Sequence, residues 1–589
     1  MSQTLSYPVP ILARRPLYLR LEPVPIALFA AALATDLAYL ASINIIWETF
    51  SVWLISVGIA LGVVAGLAGL VDIVAGRRTH VLMAPWPHVV GDVLAFALSI
   101  VNAFVHSRDG YTAVWPTGLI LSALVVLIVV ISRLYRPVLD PLRVAPPRGR
   151  GVLVSVLALA LFLCGIGAEW AFSGPLPAQM DAAAQYGPNP PLPPPHQYLL
   201  PPMRVAPDVP WGQDTPSVPA GLKIQALAQG LSHPRSLFVL PNGDVLVVES
   251  GGPQPPLNRP KDAIMGWIEA IIGSRAPAPN RITLLRDTKG TGVADLRTVF
   301  LDHLHSPFGV ALVGHDLYIA DTDAILHYTY TDGQTAITDP GTKLAPLPGG
   351  PIDHHWTKSL VASPDGTKLY VGVGSNSNIM ENGLAAELDR ADILEVDRTT
   401  GATRVFASGL RNPNGLQFEP TSGKLWAVVN ERDELGPNLV PDYLTSVKDG
   451  AFYGWPYSYY GQHVDPRVEP QRPDLVARAI APDYALSSHV APLGMVFYTA
   501  NNLPAAYHGG AFVGEHGSWD RTPLNGYQVI YIPFTNGAPS GPPQYVVTGF
   551  LNAQKQARGR PVGLAIDHTG ALLIADDLGN TVWRVSAAK

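Results

Sequence analysis

The chain has 589 residues, of which 40 are Lys or Arg and 46 are Asp or Glu, giving a formal net charge of -6 at pH 7. This balance provides no basic field for a phosphate backbone, so we expect no nucleic-acid partner. The length exceeds what one hydrophobic core supports, and we predict two domains and a linker. The single cysteine, Cys164, excludes an intrachain disulfide and a Cys-x-x-Cys-His site for covalent haem.

The first 172 residues consist mainly of apolar stretches long enough to cross a bilayer. We predict five membrane spans, at residues 24–43, 51–74, 88–105, 114–131 and 152–168. The loops on one side are rich in arginine, whereas the loops on the other side contain only Arg108. The arginines of the first group are Arg14, Arg15, Arg20, Arg77, Arg78, Arg133, Arg136, Arg143, Arg148 and Arg150. By the positive-inside rule the N-terminus is cytoplasmic, so five crossings of a bacterial inner membrane place the remaining residues in the periplasm.

Carboxylates within the spans are costly to bury and therefore suggest a function. Asp36, Asp72 and Asp92 either line a quinone or proton path or pair with polar groups inside the helix bundle. His80 and His88 would suit a haem with two imidazole ligands, although loop histidines are usually solvated. Spans one to four resemble a bacterial integral-membrane family of unknown function through VPIALFAAALATDLAYL, GLAGLVD and RRTH. The sequence leaves open whether the spans bind a quinone or haem or only anchor the chain.

Residues 173–219 form a proline-rich segment, with PNPPLPPP at 188–195. Such a segment favours polyproline II, which rises about 3.1 Å per residue and offers few hydrogen bonds to a β-ladder. We therefore predict a semi-rigid periplasmic stalk between a membrane domain at 1–172 and a second domain at 220–589.

The second domain repeats one unit, in which a turn signal precedes a β-rich run. Six copies are visible, including LPNGDVLVVES from Leu240, SPDGTKLYVGVG from Ser363 and IDHTGALLIADD from Ile566. Asn-Gly and Asp-Gly pairs favour hairpins, and the apolar runs favour strands packed between neighbouring sheets. Because a two-sheet sandwich does not explain the repetition, we predict an all-β six-bladed propeller that follows an all-α helical membrane bundle.

One insertion, at residues 261–273, places Ile264, Trp267, Ile268 and Ile271 at helical spacing. This pattern predicts a short helix. The helix either packs on the propeller or touches the membrane, and the spacing alone does not separate the two.

Propellers bind ligands at the axis, where loops from different blades meet, so motifs that are far apart in sequence can form one site. In DHHWTK, His354 and His355 offer an imidazole that can act as a general base near neutral pH. In GLRNPNGL, Arg411 and Asn412 offer a guanidinium and an amide that suit a carbonyl oxygen gaining negative charge. The two motifs together indicate proton abstraction beside a polarised carbonyl.

Two further motifs suit the binding of ions. Gly436 and Pro437, in NERDELGPNLVPD, lie in a tight loop whose backbone carbonyls would suit calcium. Arg558 and Arg560, in ARGRPVG, point to one face if the segment is extended. Two parallel guanidiniums suit a polycarboxylate.

These four motifs, together with HVAPLGMVFY, GEHGSWDRTPLNGY and DDLGNTVWRV, resemble the soluble quinoprotein glucose dehydrogenase and sorbosone dehydrogenase family. The resemblance covers residues 220–587 and is closest to the sorbosone branch. It implies a six-bladed propeller that uses pyrroloquinoline quinone (PQQ) and calcium. It implies that His355 is the catalytic base, and that Arg411, as a catalytic group, and Asn412, as a cofactor contact, lie beside the reactive quinone carbonyl. It also implies that Gly436 and Pro437 are calcium ligands. Arg521 would be a cationic cofactor contact, and Arg558 and Arg560 would bind the cofactor's carboxylates.

Three positions depart from the glucose enzyme of that family. His489 takes a cofactor-contact position that is threonine there. Leu435 stands where a polar cofactor contact is expected, and His354 stands where an aspartate would orient the base. These departures bear most on the choice of substrate.

The resemblance implies a membrane-anchored periplasmic enzyme that oxidises an aldose or a sugar aldehyde to a lactone or acid. His355 would remove the substrate's hydroxyl proton while hydride passes to PQQ, and ubiquinone is the expected electron acceptor. A lactonase-like hydrolase and a non-catalytic membrane-tethered sensor remain alternatives. Either alternative would leave Arg558 and Arg560 without a polycarboxylate to bind.

Overall fold

The computed structural model describes residues 17–74, 85–135, 148–178, 180–200, 202–271 and 276–588. These residues form two compact units. The helical unit comprises Met1–Arg108 and Thr112–Phe172, and the propeller unit comprises Asp109–Tyr111 and Ser173–Lys589. Several residues used in the topology and haem predictions lie outside the described residues, namely Arg14, Arg15, Arg77, Arg78, His80, Arg136 and Arg143.

The helical unit contains, among its described residues, five helices long and apolar enough to cross a membrane. They are Pro23–Ser42, Ile45–Val74, Trp86–His106, Thr117–Arg133 and Arg148–Phe172, and the short helix Leu17–Leu21 precedes them. Large apolar side chains such as Val63, Leu67 and Leu163 are exposed along these helices. An apolar exterior of this kind is the surface that lipid covers, and the prediction of five apolar helices is confirmed.

The buried carboxylates of the helical unit have polar partners inside the bundle. Asp36 Oδ1 lies 3.0 Å from His106 Nε2, and both side chains are fully buried. Asp92 accepts a hydrogen bond of 2.6 Å from the hydroxyl of Tyr18, and Asp72 accepts one of 3.1 Å from the backbone N–H of the same tyrosine. Among the described residues, each of the three carboxylates thus has a polar partner within the bundle, which is one of the two alternatives expected.

The haem hypothesis rested on His80 and His88. The imidazole Nε2 of His88 lies 2.9 Å from the backbone carbonyl of Tyr135. His80 falls outside the described residues, so the hypothesis stays a prediction.

In the described part of the chain, the propeller unit contains six antiparallel sheets of four or five strands, which we number as blades in chain order. Blade 1 is Pro234–Val239, Val245–Glu249, Arg281–Arg286 and Leu296–Leu301; blade 2 is Gly309–Val313, Asp316–Ala320, Ala324–Thr329 and Thr342–Pro346; blade 3 is Leu360–Ala362, Lys368–Val373, Asp392–Asp397 and Thr403–Ser408. Blade 4 is Pro413–Phe418, Leu425–Val429, Pro441–Ser446 and Tyr484–Ser488; blade 5 is Pro492–Phe497, Ala511–Glu515, Gln528–Ile532 and Gln544–Val547; blade 6 is Pro561–Ile566, Leu572–Asp576, Thr581–Ala587 and Leu222–Ala228. The six-bladed prediction is confirmed.

The fourth strand of blade 6 comes from the beginning of the propeller sequence, because Leu222–Ala228 pairs with Thr581–Ala587. This pairing closes the ring of blades without an exposed end. Outside the blades lie the helices Pro260–Ile271 and Pro473–Val476 and the strand pairs Ser458–Tyr459 with His463–Val464 and Phe534–Thr535 with Ala538–Pro539.

The hydrophobic core lies between neighbouring blades. Leu246 and Val248 of blade 1, for example, pack in one buried cluster with Leu317 and Ile319 of blade 2. Side chains alternate across a strand, so both faces of each sheet bury apolar residues against an adjacent blade.

The proline-rich segment at 173–219, predicted as a semi-rigid stalk, packs on the propeller. Tyr186–Gly187 forms a short strand beside Tyr484–Ser488 at the edge of blade 4. Trp211 donates a 2.9 Å hydrogen bond to Asp576, and the backbone N–H of His196 donates one to the carbonyl of Leu435. The physical reason is that the non-proline residues around the prolines keep their backbone donors and large side chains, which dock on the blades.

Candidate active site

Six of the predicted site residues share one structural position, just before the first strand of a blade, whereas Gly436, Pro437 and Arg521 lie in loops between second and third strands. His355 precedes Leu360–Ala362, Arg411 and Asn412 precede Pro413–Phe418, His489 precedes Pro492–Phe497, and Arg558 and Arg560 precede Pro561–Ile566. The first strands contact one another in a ring around the axis. Loops that precede them therefore meet at the same end of the axis.

Glycines allow the first strands to approach one another closely. A side chain at Gly494 would collide with the carbonyl of Val562, and a side chain at Gly563 would lie 2.8 Å from the carbonyl of Arg235. The first strands of neighbouring blades can therefore lie close together at the axis, because these glycines have no Cβ.

His355 is set up as a neutral base. Its Nδ1 lies 2.8 Å from the backbone carbonyl of Ser375, which only accepts, so Nδ1 carries the proton and Nε2 the lone pair. Burial lowers the pKa of His355 well below its usual value, and the positive charge of Arg411 lowers it further. The imidazole is therefore uncharged at neutral pH and can accept a proton at Nε2.

A buried ionic network lies behind this histidine. Arg390 donates a 2.9 Å hydrogen bond to the backbone carbonyl of His355 and another of 3.2 Å to Asp353. Lys358 also contacts Asp353, at 3.5 Å, and burial lowers the pKa of this lysine to about 7. The residues around Asp353 fix the loop that carries His355, whereas Ser375 rather than an aspartate holds the ring.

Arg411 is buried and hydrogen-bonded on three sides. It donates to the carbonyl of Glu431 at 2.6 Å, to Oδ1 of Asn378 at 3.0 Å and to Oδ2 of Asp433 at 3.2 Å. The guanidinium is thus held in one orientation, and its charge reaches His355 through space.

Asn412 lies across from His355, with Gly374 between them. A Cβ at Gly374 would overlap Asn412 Oδ1 and lie 2.5 Å from the Cβ of His355. Asn412 is 6% exposed, and its Oδ1 has no hydrogen-bond partner among the described residues. A buried acceptor without a partner is costly, so this position suits a ligand that brings a donor.

His489 contacts the loop that was predicted to bind calcium. Its Nε2 lies 3.1 Å from the carbonyl of Gly436, and its Nδ1 lies 3.3 Å from both Asp433 and Asp520. Burial opposes the positive charge of this histidine, but the two carboxylates outweigh burial and raise its pKa to about 9. The imidazole therefore acts as a cation and a donor in this loop.

The carbonyl oxygen of Gly436 already accepts two hydrogen bonds. Besides His489 Nε2, the backbone N–H of Leu439 donates to it at 3.3 Å. A carbonyl oxygen has two lone pairs, so a metal ion at this oxygen would have to displace the imidazole. Gly436 adopts a φ of +105°, a conformation that favours glycine, while Pro437 follows it in the same loop.

Arg521 is fully buried beside this loop. It donates to the carbonyl of Ser488 at 3.0 Å and to Asn438 Oδ1 at 3.1 Å. Its Nε has no partner among the described residues. The structure thus joins Arg521 with the loop of Gly436 and Pro437.

The two remaining predicted arginines have different partners. Arg558 forms an ion pair with Asp214, whereas Arg560 donates a 3.0 Å hydrogen bond to the hydroxyl of Tyr527. The carboxylate of Asp576 accepts a hydrogen bond of 2.8 Å from the backbone N–H of Arg560. Arg560 is fully buried, and its Nε has no partner among the described residues.

A cluster of charged residues around Asp577 was not predicted from the sequence. Asp577 accepts from Arg235 at 2.5 Å and lies 2.9 Å from His516 Nε2. Burial lowers the pKa of His516 to about 4 despite this carboxylate, so the imidazole is neutral. Arg560 adjoins the cluster, since the backbone N–H of Asp577 lies 3.3 Å from the carbonyl of Arg560.

The structure therefore links most of the predicted residues through groups that the sequence did not single out. Asp433 connects Arg411 with His489, and Gly374 separates His355 from Asn412. The available sequence signals were the acidic motif NERDELGP and the glycine-rich end of VGVG in blade 3.

Three family models match the chain. Residues 17–134 match "Predicted membrane protein (DUF2231)", residues 316–518 match "Glucose / Sorbosone dehydrogenase", and residues 471–588 match "TrAA12-like". Part of the propeller thus matches a model of the family that its motifs resemble, and the first helices match a model of a predicted membrane protein family.

Several curated proteins are similar to the propeller part. An uncharacterized protein of Borreliella burgdorferi is 29% identical over 294 residues, which is 48% of this chain and 76% of that protein. The aldose sugar dehydrogenase YliI of Escherichia coli is 23% identical over 310 residues, covering 49% of this chain and 76% of that protein. A pyrroloquinoline quinone-dependent sugar dehydrogenase of Hypocrea jecorina is 22% identical over 411 residues, covering 61% and 86%.

Solved structures share the propeller fold. The holo form of the pyranose dehydrogenase PQQ domain from Coprinopsis cinerea has a TM-score of 0.50 at 20% identity and covers 63% of this chain and 97% of that chain. The calcium structure of the Trichoderma reesei carbohydrate-active enzyme of family AA12 has a TM-score of 0.51 at 20% identity, with the same coverage of 63% and 97%. At these identities the likeness concerns the fold.

Proposed function

We propose that the chain is a membrane-anchored, PQQ-dependent dehydrogenase that oxidises an aldose or a sugar aldehyde. The propeller would lie in the periplasm, and ubiquinone would take the electrons onward. The family match of the propeller and the printed names of its relatives support the reaction class. The positive-inside pattern of the sequence supports the orientation.

The observation that carries the proposal is the state of His355. A neutral, half-buried imidazole with its proton fixed on Nδ1 presents a lone pair at Nε2, and it does so at the end of the axis where the predicted loops meet. His355 would remove the proton from the substrate's hydroxyl group, and Arg411 keeps the imidazole uncharged until that proton arrives.

The described residues fit a planar polycarboxylate with carbonyl groups. Arg560 and Arg521 present buried Nε donors that have no partners among the described residues and that suit carboxylates. The amide N–H of Asn412 would donate to a carbonyl once this side chain is flipped. These three residues and Arg411 would hold PQQ. Bound PQQ would supply the acceptor for the hydride. Binding of the cofactor would also satisfy polar groups whose burial is otherwise costly.

The loop of Gly436 and Pro437 can bind calcium only if the imidazole of His489 moves away. The carbonyls of Gly436 and Pro437 and the nearby carboxylates of Asp433 and Asp520 are oxygen donors of the type that calcium prefers. His489 occupies the Gly436 carbonyl, however, so the imidazole must withdraw before a cation binds there. We propose calcium as a cofactor under that condition.

The experiment compares PQQ binding and turnover in the full-length protein. Titration calorimetry with PQQ, with and without calcium, measures binding, and dye-linked oxidation of aldoses and sugar aldehydes measures turnover. His355→Ala should retain PQQ binding while the rate falls by about 10²–10⁴-fold, since a general base contributes roughly that factor. Reduction of a short-chain ubiquinone analogue tests the acceptor.

The matched control is His508→Ala. His508 is exposed in blade 5, where its Nε2 contacts only the carbonyl of Thr499 among the described residues, so its removal should leave the rate unchanged. A folded protein that binds no PQQ would contradict the proposal and favour a hydrolase or a sensor. Equal losses in both variants would also contradict the role of His355.

A further inference from the structure

The helix Pro260–Ile271 has its apolar side turned outward. It is inserted between the second and third strands of blade 1. Its exposed residues are Ala263, Ile264, Trp267 and Ala270, whereas its charged residues Lys261, Asp262 and Glu269 are half-buried. Trp267 is 66% exposed and Ile264 is 57% exposed. A surface helix ordinarily turns its polar residues to water, so this arrangement calls for an apolar environment outside.

The helix is nevertheless firmly attached to the propeller. Ile268 is 3% exposed and packs inward, and the carboxylate of Asp262 accepts the backbone N–H of Arg259 at 2.7 Å at the start of the helix. Leu257, which precedes the helix, is 66% exposed and enlarges the apolar surface. The outward face is thus held in place and is not the result of an undocked helix. We call Leu257, Ile264 and Trp267 the apolar face.

The position of Asp109 indicates what covers this face. Asp109 belongs to the propeller unit and forms an ion pair with Lys261 in the first turn of the helix. It also lies 3.4 Å from Arg259. In sequence it follows the membrane-spanning helix Trp86–His106 by three residues, which reach roughly 10 Å at most. The first turn of the helix is therefore tied to a residue that is only three positions beyond a membrane-spanning helix in sequence.

The number of crossings agrees with this placement. Residue 109 follows the third membrane span and residue 173 follows the fifth. Odd-numbered crossings leave on the same side of a membrane, so both segments of the propeller unit lie on one side.

We propose that the apolar face inserts into the lipid interface of the membrane that the chain itself crosses, with the helix lying in the plane of the bilayer surface. Helices with Trp and Ile on one face bind at this depth, and tryptophan is enriched where lipid headgroups meet the acyl chains. A protein partner could also cover an apolar face, but the tie to Asp109 places this helix where lipid is already present. The insertion would fix the orientation of blade 1 against the membrane.

Spin-label accessibility in the full-length protein tests the proposal. Cys164 is the single cysteine, so Cys164→Ser gives a background for labelling. Trp267→Cys and Ile264→Cys are labelled with a nitroxide and reconstituted in nanodiscs of phosphatidylcholine and phosphatidylglycerol. Power saturation with oxygen, which partitions into lipid, and with a water-soluble nickel chelate then reports the environment of each label.

The matched control is Val293→Cys. Val293 is an apolar residue that is 47% exposed, and it lies in the turn between the third and fourth strands of blade 1, at the opposite end from the helix. Thermal unfolding of each labelled protein confirms that it is folded. Using two positions on the apolar face guards against a local effect of either substitution.

The expected result is high oxygen and low nickel accessibility at residues 264 and 267, and the reverse at residue 293. High nickel accessibility at both helix positions would overturn the proposal, because the face would then be in water. Low accessibility to both reagents would also overturn it, since a protein surface would then cover the face.

Discussion

Gly374 is the position at which added volume should most directly disturb the candidate active site. It follows the second strand of blade 3 and separates Asn412 from His355. In Gly374→Ala the new Cβ would overlap Asn412 Oδ1 and lie 2.5 Å from the Cβ of His355. Carbon atoms pack at about 3.5–4.0 Å, so one of these side chains has to move by about 1 Å.

The expected effect on turnover is large and the effect on stability is moderate. A displacement of about 1 Å in a catalytic constellation costs on the order of 10²-fold in rate, and overpacking a buried site costs about 1–3 kcal/mol. Gly374 does not have a positive φ, so alanine adds volume there without straining the backbone. The rate should therefore fall roughly 100-fold in a protein that still folds.

Dye-linked sugar oxidation measures the rate, and thermal unfolding measures the stability. The control is Gly266→Ala in the helix Pro260–Ile271, where an added Cβ meets nothing within 4 Å. The control should oxidise sugars at the rate of the unchanged protein. An unchanged rate in Gly374→Ala would refute the reasoning, because His355 and Asn412 would then not need their present separation.

Two further predictions concern the other histidines of the site. His516 is buried with a pKa of about 4, so the folded chain binds fewer protons at this histidine than the unfolded chain does. As the pH falls from 6.5 to 4, the protein should therefore lose about 3 kcal/mol of its free energy of unfolding relative to His516→Gln. Unfolding at several pH values measures this, and parallel pH profiles for the two proteins would contradict it. His489→Ala should strengthen calcium binding, because it removes the imidazole that donates to the Gly436 carbonyl. Calorimetric titration with calcium measures the affinity, and an unchanged affinity would show that this carbonyl is not a ligand.

Local sequence patterns predicted the elements of this chain well. Hydropathy alone located the five helices, because each one must satisfy its own backbone hydrogen bonds and present apolar side chains outside. The recurring turn and strand signals predicted six blades, since each blade is built mainly from contiguous chain. The same regularity explains why the motifs at His355, Arg411 and His489 fall before first strands and meet at the axis.

Only the tertiary structure decided the partners of these residues. Asp433 bridges Arg411 and His489, and His489 reaches Gly436, although these groups come from loops that are distant in sequence. The proline-rich segment docks on the blades through side chains such as Trp211 rather than standing free. Likewise the partners of Arg558 and Arg560, Asp214 and Tyr527, come from distant parts of the sequence.

The physical reason is the range of the interactions involved. Hydropathy and turn preferences act over a few residues and can be read along the chain, so the sequence by itself determined the helices, the blades and the loops that carry the site. Hydrogen bonds and ion pairs between loops depend on distances of about 3 Å that only the closed ring of blades sets. Which charges compensate one another in the site, and which polar groups are left for a ligand, was therefore decided by the tertiary structure.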